Sequence, residues 1–340
     1  MKRDNMLRTV FGCVLLVFAL IMAAPLQAAE KQAAEKQLEI GGTIDVDLFG
    51  SKAKNTDNQS DLKLDLFELS IDSKLDERVS AHAVVKYEEG DQQDYTLAVD
   101  EAYMTLSKLV DQPLTIMAGK WTLPFGVFNS HLTSDPLTQD AFEINAPAVS
   151  FIFSPEEVEG MDISITGYSS KEARFAADPN AAPENDFGNY ILNASFAQGE
   201  LFNLSVYFDS EQGVGDRNDS LGASLSATYM DTVTLDAEYI TALKRDQDRP
   251  KNLAYSVAAA FKPLPLLELV GRFEGYDDDV DGSQSYDPDT LEGLEYRVSV
   301  GLNYELHEHA ALMTEYRIME VEKEEESNIK DWTVRLRIEF

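Results

Sequence analysis

From residue 38 onward the chain alternates apolar and polar side chains with a period of two. LEIGGTIDVDLF puts Leu38, Ile40, Ile44, Val46 and Leu48 on one face of an extended segment. VSAHAVVKY does the same with Val79, Ala81, Ala83, Val85 and Tyr87, and LGASLSATY, VTLDAEY, LAYSVAAAF and LEYRVSVGLNY repeat it. Sixteen such segments are predicted as strands, at 38–49, 62–75, 79–88, 95–106, 114–120, 148–154, 160–168, 189–197, 203–209, 221–229, 233–241, 252–261, 266–275, 294–305, 310–319 and 332–340. In 62–75 the phase slips near Phe67 and Glu68, which predicts a bulge. The last segment keeps its phase to residue 340, with Trp332, Val334, Leu336, Ile338 and Phe340 on one face and Thr333, Arg335, Arg337 and Glu339 on the other.

The connections alternate in length. DER (76–78), MDT (230–232), KPLP (262–265) and LHEH (306–309) are short, whereas 50–61, 169–188, 276–293 and 320–331 are long and polar. An even strand count with alternating short and long connections predicts an all-β fold: a transmembrane antiparallel β-barrel of 16 strands, with short periplasmic turns and long extracellular loops. A soluble sandwich also alternates inward and outward residues, so alternation alone does not decide. The aromatics bear on it. Phe153, Phe196, Tyr229, Phe261, Tyr304 and Phe340 close the apolar face of descending segments, and Tyr87, Phe208, Tyr239, Phe273 and Tyr316 sit near the far end of ascending ones. Two aromatic rings bounding an apolar band are the girdles of a lipid-facing barrel. Phe340 then closes the periplasmic girdle, Trp332 stands at the outer interface, and the last strand pairs with the first. This ending resembles the C-terminal signature read by the barrel-assembly machinery of bacterial outer membranes, which makes that machinery an expected partner.

The first 28 residues read as an export signal: Lys2, Arg3 and Arg8, then the apolar run VFGCVLLVFALIMAA (10–24), then a cleavage site at Ala28. Residues 29–37 continue a short AAEKQ repeat as a polar lead-in, and 38–340 form the barrel. Cys13, the single cysteine, leaves with the signal, so no disulfide chemistry follows. Lys+Arg number 28 against 61 Asp+Glu, a net charge of -33, which disfavours nucleic acid as a partner. The expected surroundings are outer-membrane lipid and lipopolysaccharide of a Gram-negative cell.

Placing Arg335 and Arg337 in lipid would cost roughly 2–4 kcal/mol each near the midplane, so their face is the lumen. By the same phase Arg272, Arg297 and Arg317 line it, beside Glu268, Glu274, Glu295, Glu315 and Glu339. Lys63, His82, Lys86 and Lys120 are lumenal candidates from the early strands. This set reads either as a mutually neutralised polar wall or as a charged constriction in which the Arg row favours anions.

The third long connection carries GKWTLPFGVFNSHLTSDPLTQD, 119–140. Its turn residues predict a loop that folds into the lumen, with Pro124, Phe125 and Gly126 setting the first turn and Asp135 with Pro136 a second. The GKxxxPFG core followed by SDPLT (134–138) resembles the LbtU-type siderophore porins, and PFG alone is similar to phosphate-selective and related porins. The resemblance covers about 20 residues specifically and the barrel diffusely. It implies an outer-membrane porin passing small polar solutes, an iron-siderophore complex among the candidates, with a phosphate- or anion-selective or a general porin as the alternatives. It also implies a homotrimer, although the N-terminal coiled coil usual in that family is here no more than the AAEKQ repeat.

DDDVDG offers Asp277, Asp279 and Asp281 as calcium ligands, yet an EF-hand needs Glu where Pro288 stands. A barrel hydrolase is the rival class, but only four histidines exist, and His131 beside Ser130 and Ser134 is too close in sequence to build a triad. No enzyme activity and no cofactor are expected. A sealed adhesin or scaffold is the other rival, against which stand small polar inward residues such as Ser224, Ser226, Thr234 and Asp236.

Overall fold

The computed structural model describes residues 37–340, except 54–57, 90–94, 110–111, 170–186, 200, 214–215, 247–249, 279–290, 292 and 323–328. The signal and most of the lead-in, like Asp279 and Asp281, lie outside the described residues. The strands are β1 (Gln37–Lys52), β2 (Gln59–Lys74), β3 (Val79–Glu89), β4 (Tyr95–Leu106), β5 (Leu114–Thr122), β6 (Asn145–Phe153), β7 (Met161–Tyr168), β8 (Asn189–Gln198), β9 (Phe202–Gln212), β10 (Arg217–Tyr229), β11 (Val233–Lys244), β12 (Leu253–Leu264), β13 (Leu267–Asp277), β14 (Leu294–His307), β15 (Ala310–Val321) and β16 (Ile329–Glu339). Among the described residues one helix occurs, α1 (Leu137–Phe142), between β5 and β6.

Each strand pairs antiparallel with its sequence neighbours, and β1 pairs with β16 to close a 16-stranded barrel. Closure leaves no long sheet edge, as a spanning sheet requires. The apolar phase faces outward: Phe153, Tyr229, Phe261, Tyr304 and Phe340 are exposed at one end of the wall, and Tyr239, Phe273, Tyr316 and Trp332 at the other. The slip in β2 is a bulge at Asp65, because Asp45 pairs with Leu66 while Val46 pairs with Leu64. It precedes the expected position, near Phe67. Leu66 is apolar but inward, so the phase change shows in the sequence only at Phe67. Glu295 is also off the predicted row, at a register shift between Leu294 and Tyr296.

The closing seam is zipped by charge. Asp45 pairs in register with Arg337 and Asp47 with Arg335. Arg335 Nε and Nη2 donate to the two oxygens of Asp47, each at 2.8 Å, and Arg337 Nε and Nη2 donate to those of Asp45 at 2.9 and 2.6 Å. Arg335 also reaches Asp65. Planar guanidinium groups match carboxylates two bonds at a time, so each pair fixes register as well as charge. Asp45 and Asp47 are almost wholly buried. Arg335→Leu should therefore cost about 3–5 kcal/mol, the range for breaking a buried pair. Urea unfolding of the refolded barrel checks this, and Arg335→Leu with Asp47→Leu should recover part of the loss.

Candidate functional site

The connection from β5 to β6 crosses the lumen and docks on the opposite wall. Leu123, Phe125, Leu137, Phe142 and Ile144 are buried and form one cluster with Ala146, Ala148, Tyr168, Ile191, Tyr207, Ile240 and Ala254 of the wall. The wall makes room with small inward residues: Ser205 on β9, Ser224 on β10, and Ala254, Ser256, Ala258 and Ala260 on β12. Burying each large side chain contributes roughly 1.5–3 kcal/mol. Further along the loop, Leu132 inserts between Ala260 and Val270 over Gly301, where a Cβ would lie 2.3 Å from Leu132 Cδ2. Gly126 has φ +112°, a conformation that side chains rarely adopt, and a Cβ there would strike the Phe128 ring.

Polar bonds then fix the loop's path. Three wall glutamates receive it. Glu238 on β11 accepts from Val127 N (2.8 Å) and Thr138 Oγ1 (2.6 Å). Glu274 on β13 accepts from Leu137 N at 2.7 Å. Glu315 on β15 accepts from Thr133 Oγ1 (2.8 Å) and from Ser134 N (2.9 Å) and Oγ (2.8 Å). Two wall arginines hold its carbonyls. Arg272 Nη1 and Nη2 donate to Ser134 O and Asp135 O, both at 3.0 Å, and Arg297 Nη2 also donates to Asp135 O. Glu274 sits between them, with Oε2 2.9 Å from Arg272 Nε and 2.6 Å from Arg297 Nε. Asn303 Nδ2 donates to His131 O at 2.7 Å, and Asn193 Nδ2 to Pro124 O at 3.2 Å. SDPLT is therefore a strap: Ser134, the Asp135 carbonyl, the Leu137 N–H and Thr138 each meet the wall. Pro136 sets the extended residue ahead of α1, and its carbonyl accepts from Gln139 N and Asp140 N.

His131 is clamped between strands, Nε2 3.0 Å from Asp236 on β11 and Nδ1 3.4 Å from Glu268 on β13. The two carboxylates, Asp236 first, raise its pKa to about 9. A raised cationic group contributes stability that is fully present below its ordinary value, about 6.5, and lost as pH rises through 9. On the lumenal edge of the loop, burial pushes Asp135 upward and Asp140 up to about 6. Arg297, 3.5 Å from Asp140, opposes that rise.

These positions revise the sequence reading. Arg272 and Arg297 do not face a passing solute; they are 3 % and 4 % exposed beneath the loop, spent on Glu274 and the strap. Arg317, Arg335 and Arg337 are inward but paired, Arg317 with Asp331 at 2.7 Å. Lys120 is on the other face. It pairs through Ala102, Ala83 and Ile71 with Ile40, a row whose Ile71 and Ile40 are exposed apolar residues. Its Nζ donates to Val99 O at 3.2 Å, beside the β4 bulge at Asp100. The sequence does not mark the phase of β5, because its inward set, Met117, Gly119 and Trp121, carries no charge. Glu238 was missed altogether; its signal was a second carboxylate two residues after Asp236, facing serines. Asp277 ends β13, and among the described residues no group of three or more metal-ligating side chains gathers.

A closed 16-stranded barrel with a loop folded inside is the architecture of a bacterial outer-membrane channel. Residues 15–324 match the family model described as Gram-negative porin, and the chain belongs to that family, whose members are channels of the outer membrane rather than enzymes. UPF0422 proteins of Legionella pneumophila are similar to it: 21% identity over 247 residues for the Philadelphia 1 strain and 24% for the Paris strain, covering 65% of this chain. The chain spans about half, 46%, of the length of these relatives. Among solved structures, the anion-selective porin from Comamonas acidovorans superposes with a TM-score of 0.65 at 12% identity, over 90% of this chain and 100% of that one. Salmonella typhi OmpF, solved with daunomycin, gives 0.65 at 10% identity over 89% and 97%. The trimer form of Vibrio cholerae OmpT gives 0.58 at 12% identity over 90% and 99%.

Two outcomes follow. Arg272→Ala removes the strap's main donor and should raise single-channel conductance in planar bilayers while lowering the unfolding temperature; unchanged conductance in a folded variant would show that the strap does not need it. Lowering pH from 7 to 5 protonates Asp140 and takes a negative charge from the lumen. Cation current should fall with a midpoint near 6, and Asp140→Asn should flatten that profile.

Proposed function

We propose that this chain is a diffusion porin for small polar solutes and that its constriction favours cations. The observation that carries the reading is the charge balance on the side of the lumen that the loop leaves open, bounded by β1–β4, β15 and β16. Lys63 pairs with Asp65 and Lys86 with Glu88, both at 2.7 Å, and Arg317, Arg335 and Arg337 pair as described, while Lys74 stands on the same face at the end of β2. Further carboxylates exceed these pairs. Asp72 and Glu101 flank His82, Glu68 lies opposite Lys86, and the loop adds Asp135 and Asp140. An excess of fixed negative charge in a partly desolvated passage enriches cations. The anion preference expected of an open Arg row loses its support, since two of those arginines are under the loop.

The element that resembles siderophore porins is engaged in holding the loop, which supports an architectural role for it. That leaves a bulky iron-siderophore complex resting on the resemblance alone, and small polar solutes as the better reading. A homotrimer is the proposed assembly, with the trimer form of OmpT as its support.

Reversal potentials across a KCl gradient test the selectivity. The refolded chain should be cation-selective, and Asp135→Asn with Asp140→Asn should shift the potential toward zero. Anion selectivity of the parent would overturn the reading.

A further inference from the structure

The inward rings of the barrel are not all spent on the loop. Phe125, Phe142, Tyr168 and Tyr207 are packed beneath it and almost wholly buried. Tyr103 on β4 and His82 on β3 are only half-buried. These two are register partners, with ring centroids 4.9 Å apart and planes 32° from parallel. Trp121 backs Tyr103 edge-on at 5.9 Å, and Gly119, the partner of Tyr103 on β5, adds no side chain beside it. The loop's cluster covers only part of Tyr103, so the wall shows a braced aromatic surface to a polar passage.

Carboxylates continue the same row. Asp72 on β2 pairs in register with His82, and Glu39 on β1 with Asp72, so Glu39, Asp72, His82 and Tyr103 form one line across four strands. Asp72 Oδ1 is 2.7 Å from His82 Nδ1, and Glu101 Oε2 is 3.4 Å from His82 Nε2. Glu39 meets no base; it accepts from the Gln37 side-chain amide at 2.8 Å. Two acidic side chains directly opposite one another destabilise a sheet. Lys74 does not relieve them, since among the described residues it forms no ion pair. The wall is hollow at this place. A cavity of about 330 Å³ opens beside Glu39 and Asp72 at the short-turn end of the barrel, lined also by Gln37, Lys74 and Ser80.

Neighbouring strands lie roughly 4.8 Å apart, so the His82 ring stands about 5 Å and the Tyr103 ring about 10 Å along the row from Asp72. That spacing suits a small molecule with a positive head and a flat apolar body. An inorganic cation would use the carboxylates and gain nothing from the rings. A neutral ring compound would use the rings and leave the two carboxylates facing each other.

We propose that this row is a binding subsite for organic cations, specifically primary ammonium ions that carry an aromatic ring. The ammonium lies in the cavity, where its three donors meet Glu39 and Asp72, and the ring rests against His82 and Tyr103. The subsite rests on the cation preference inferred above and adds a choice among cations.

Planar-bilayer recordings of the refolded parent in KCl test the subsite, with 2-phenylethylammonium, methylammonium or neutral 2-phenylethanol added. Phenylethylammonium should reduce the current saturably. Methylammonium should need roughly tenfold more for the same effect, the worth of a stacked ring. Phenylethanol should have no saturable effect. Tyr103→Leu should raise the half-effective concentration of phenylethylammonium roughly 3- to 10-fold and barely move that of methylammonium. Glu39→Gln with Asp72→Asn should raise both by about tenfold or more. Heat-modifiable migration checks that each variant folds, and if one does not, the three probes on the parent still decide. Equal half-effective concentrations of the two ammonium ions in the parent would overturn the proposal. So would saturable block by phenylethanol at the concentration where phenylethylammonium acts, or an unchanged affinity in the folded double variant. Reversal potentials in the same bilayers keep the two readings apart. An anion-selective parent counts against the cation preference, whereas block that needs both the ring and the carboxylates supports the subsite by itself.

Discussion

Two guanidinium groups sharing one carboxylate hold this barrel's interior in place. Arg272 and Arg297 converge on Glu274 and spend their remaining donors on the carbonyls of Ser134 and Asp135. Burying such charges is costly, and the arrangement persists only because most donors find an acceptor. Those acceptors come from the loop. The wall therefore needs the loop as much as the loop needs the wall, and removing either leaves uncompensated charge.

This constraint divides the lumen. On the side of β6–β14 small inward residues leave room for Phe125, Leu132 and Phe142, and Glu238 and Glu274 take N–H and O–H groups of the loop. The side of β1–β3 is the more open one, and solvent reaches Asp72 and Lys86 there and Arg337 on β16. The functional character of the passage follows from which charges the loop covers. Because it covers two arginines, the uncovered remainder is acidic.

Closure is the second dependency. A sheet of this kind has no stable edge until its first and last strands meet, and the meeting must occur in one register. The bidentate pairs of Asp45 with Arg337 and Asp47 with Arg335 penalise a slip of two residues, which would keep the faces correct while misaligning the charges. Alternation alone cannot enforce that choice, since it repeats every two residues.

The strands, their faces and the aromatic girdles were legible in the sequence. Period-two alternation is a local property, and the position of Trp332 or Phe340 on the lipid face follows from counting. The turn chemistry of PFG and DP was legible for the same reason. The roles of the inward charges were not. Arg272, Arg297 and Arg335 share one phase and one chemistry in the sequence, yet two lie under a loop and one staples the seam. Which it is depends on residues 137 or 288 positions away in the chain. Lys120 failed for a related reason: a strand without inward charges gives no internal check on its phase, and only its pairing with Ala102 decides the face. Local side-chain order determined the barrel; long-range pairing alone decided which of its charges meet water.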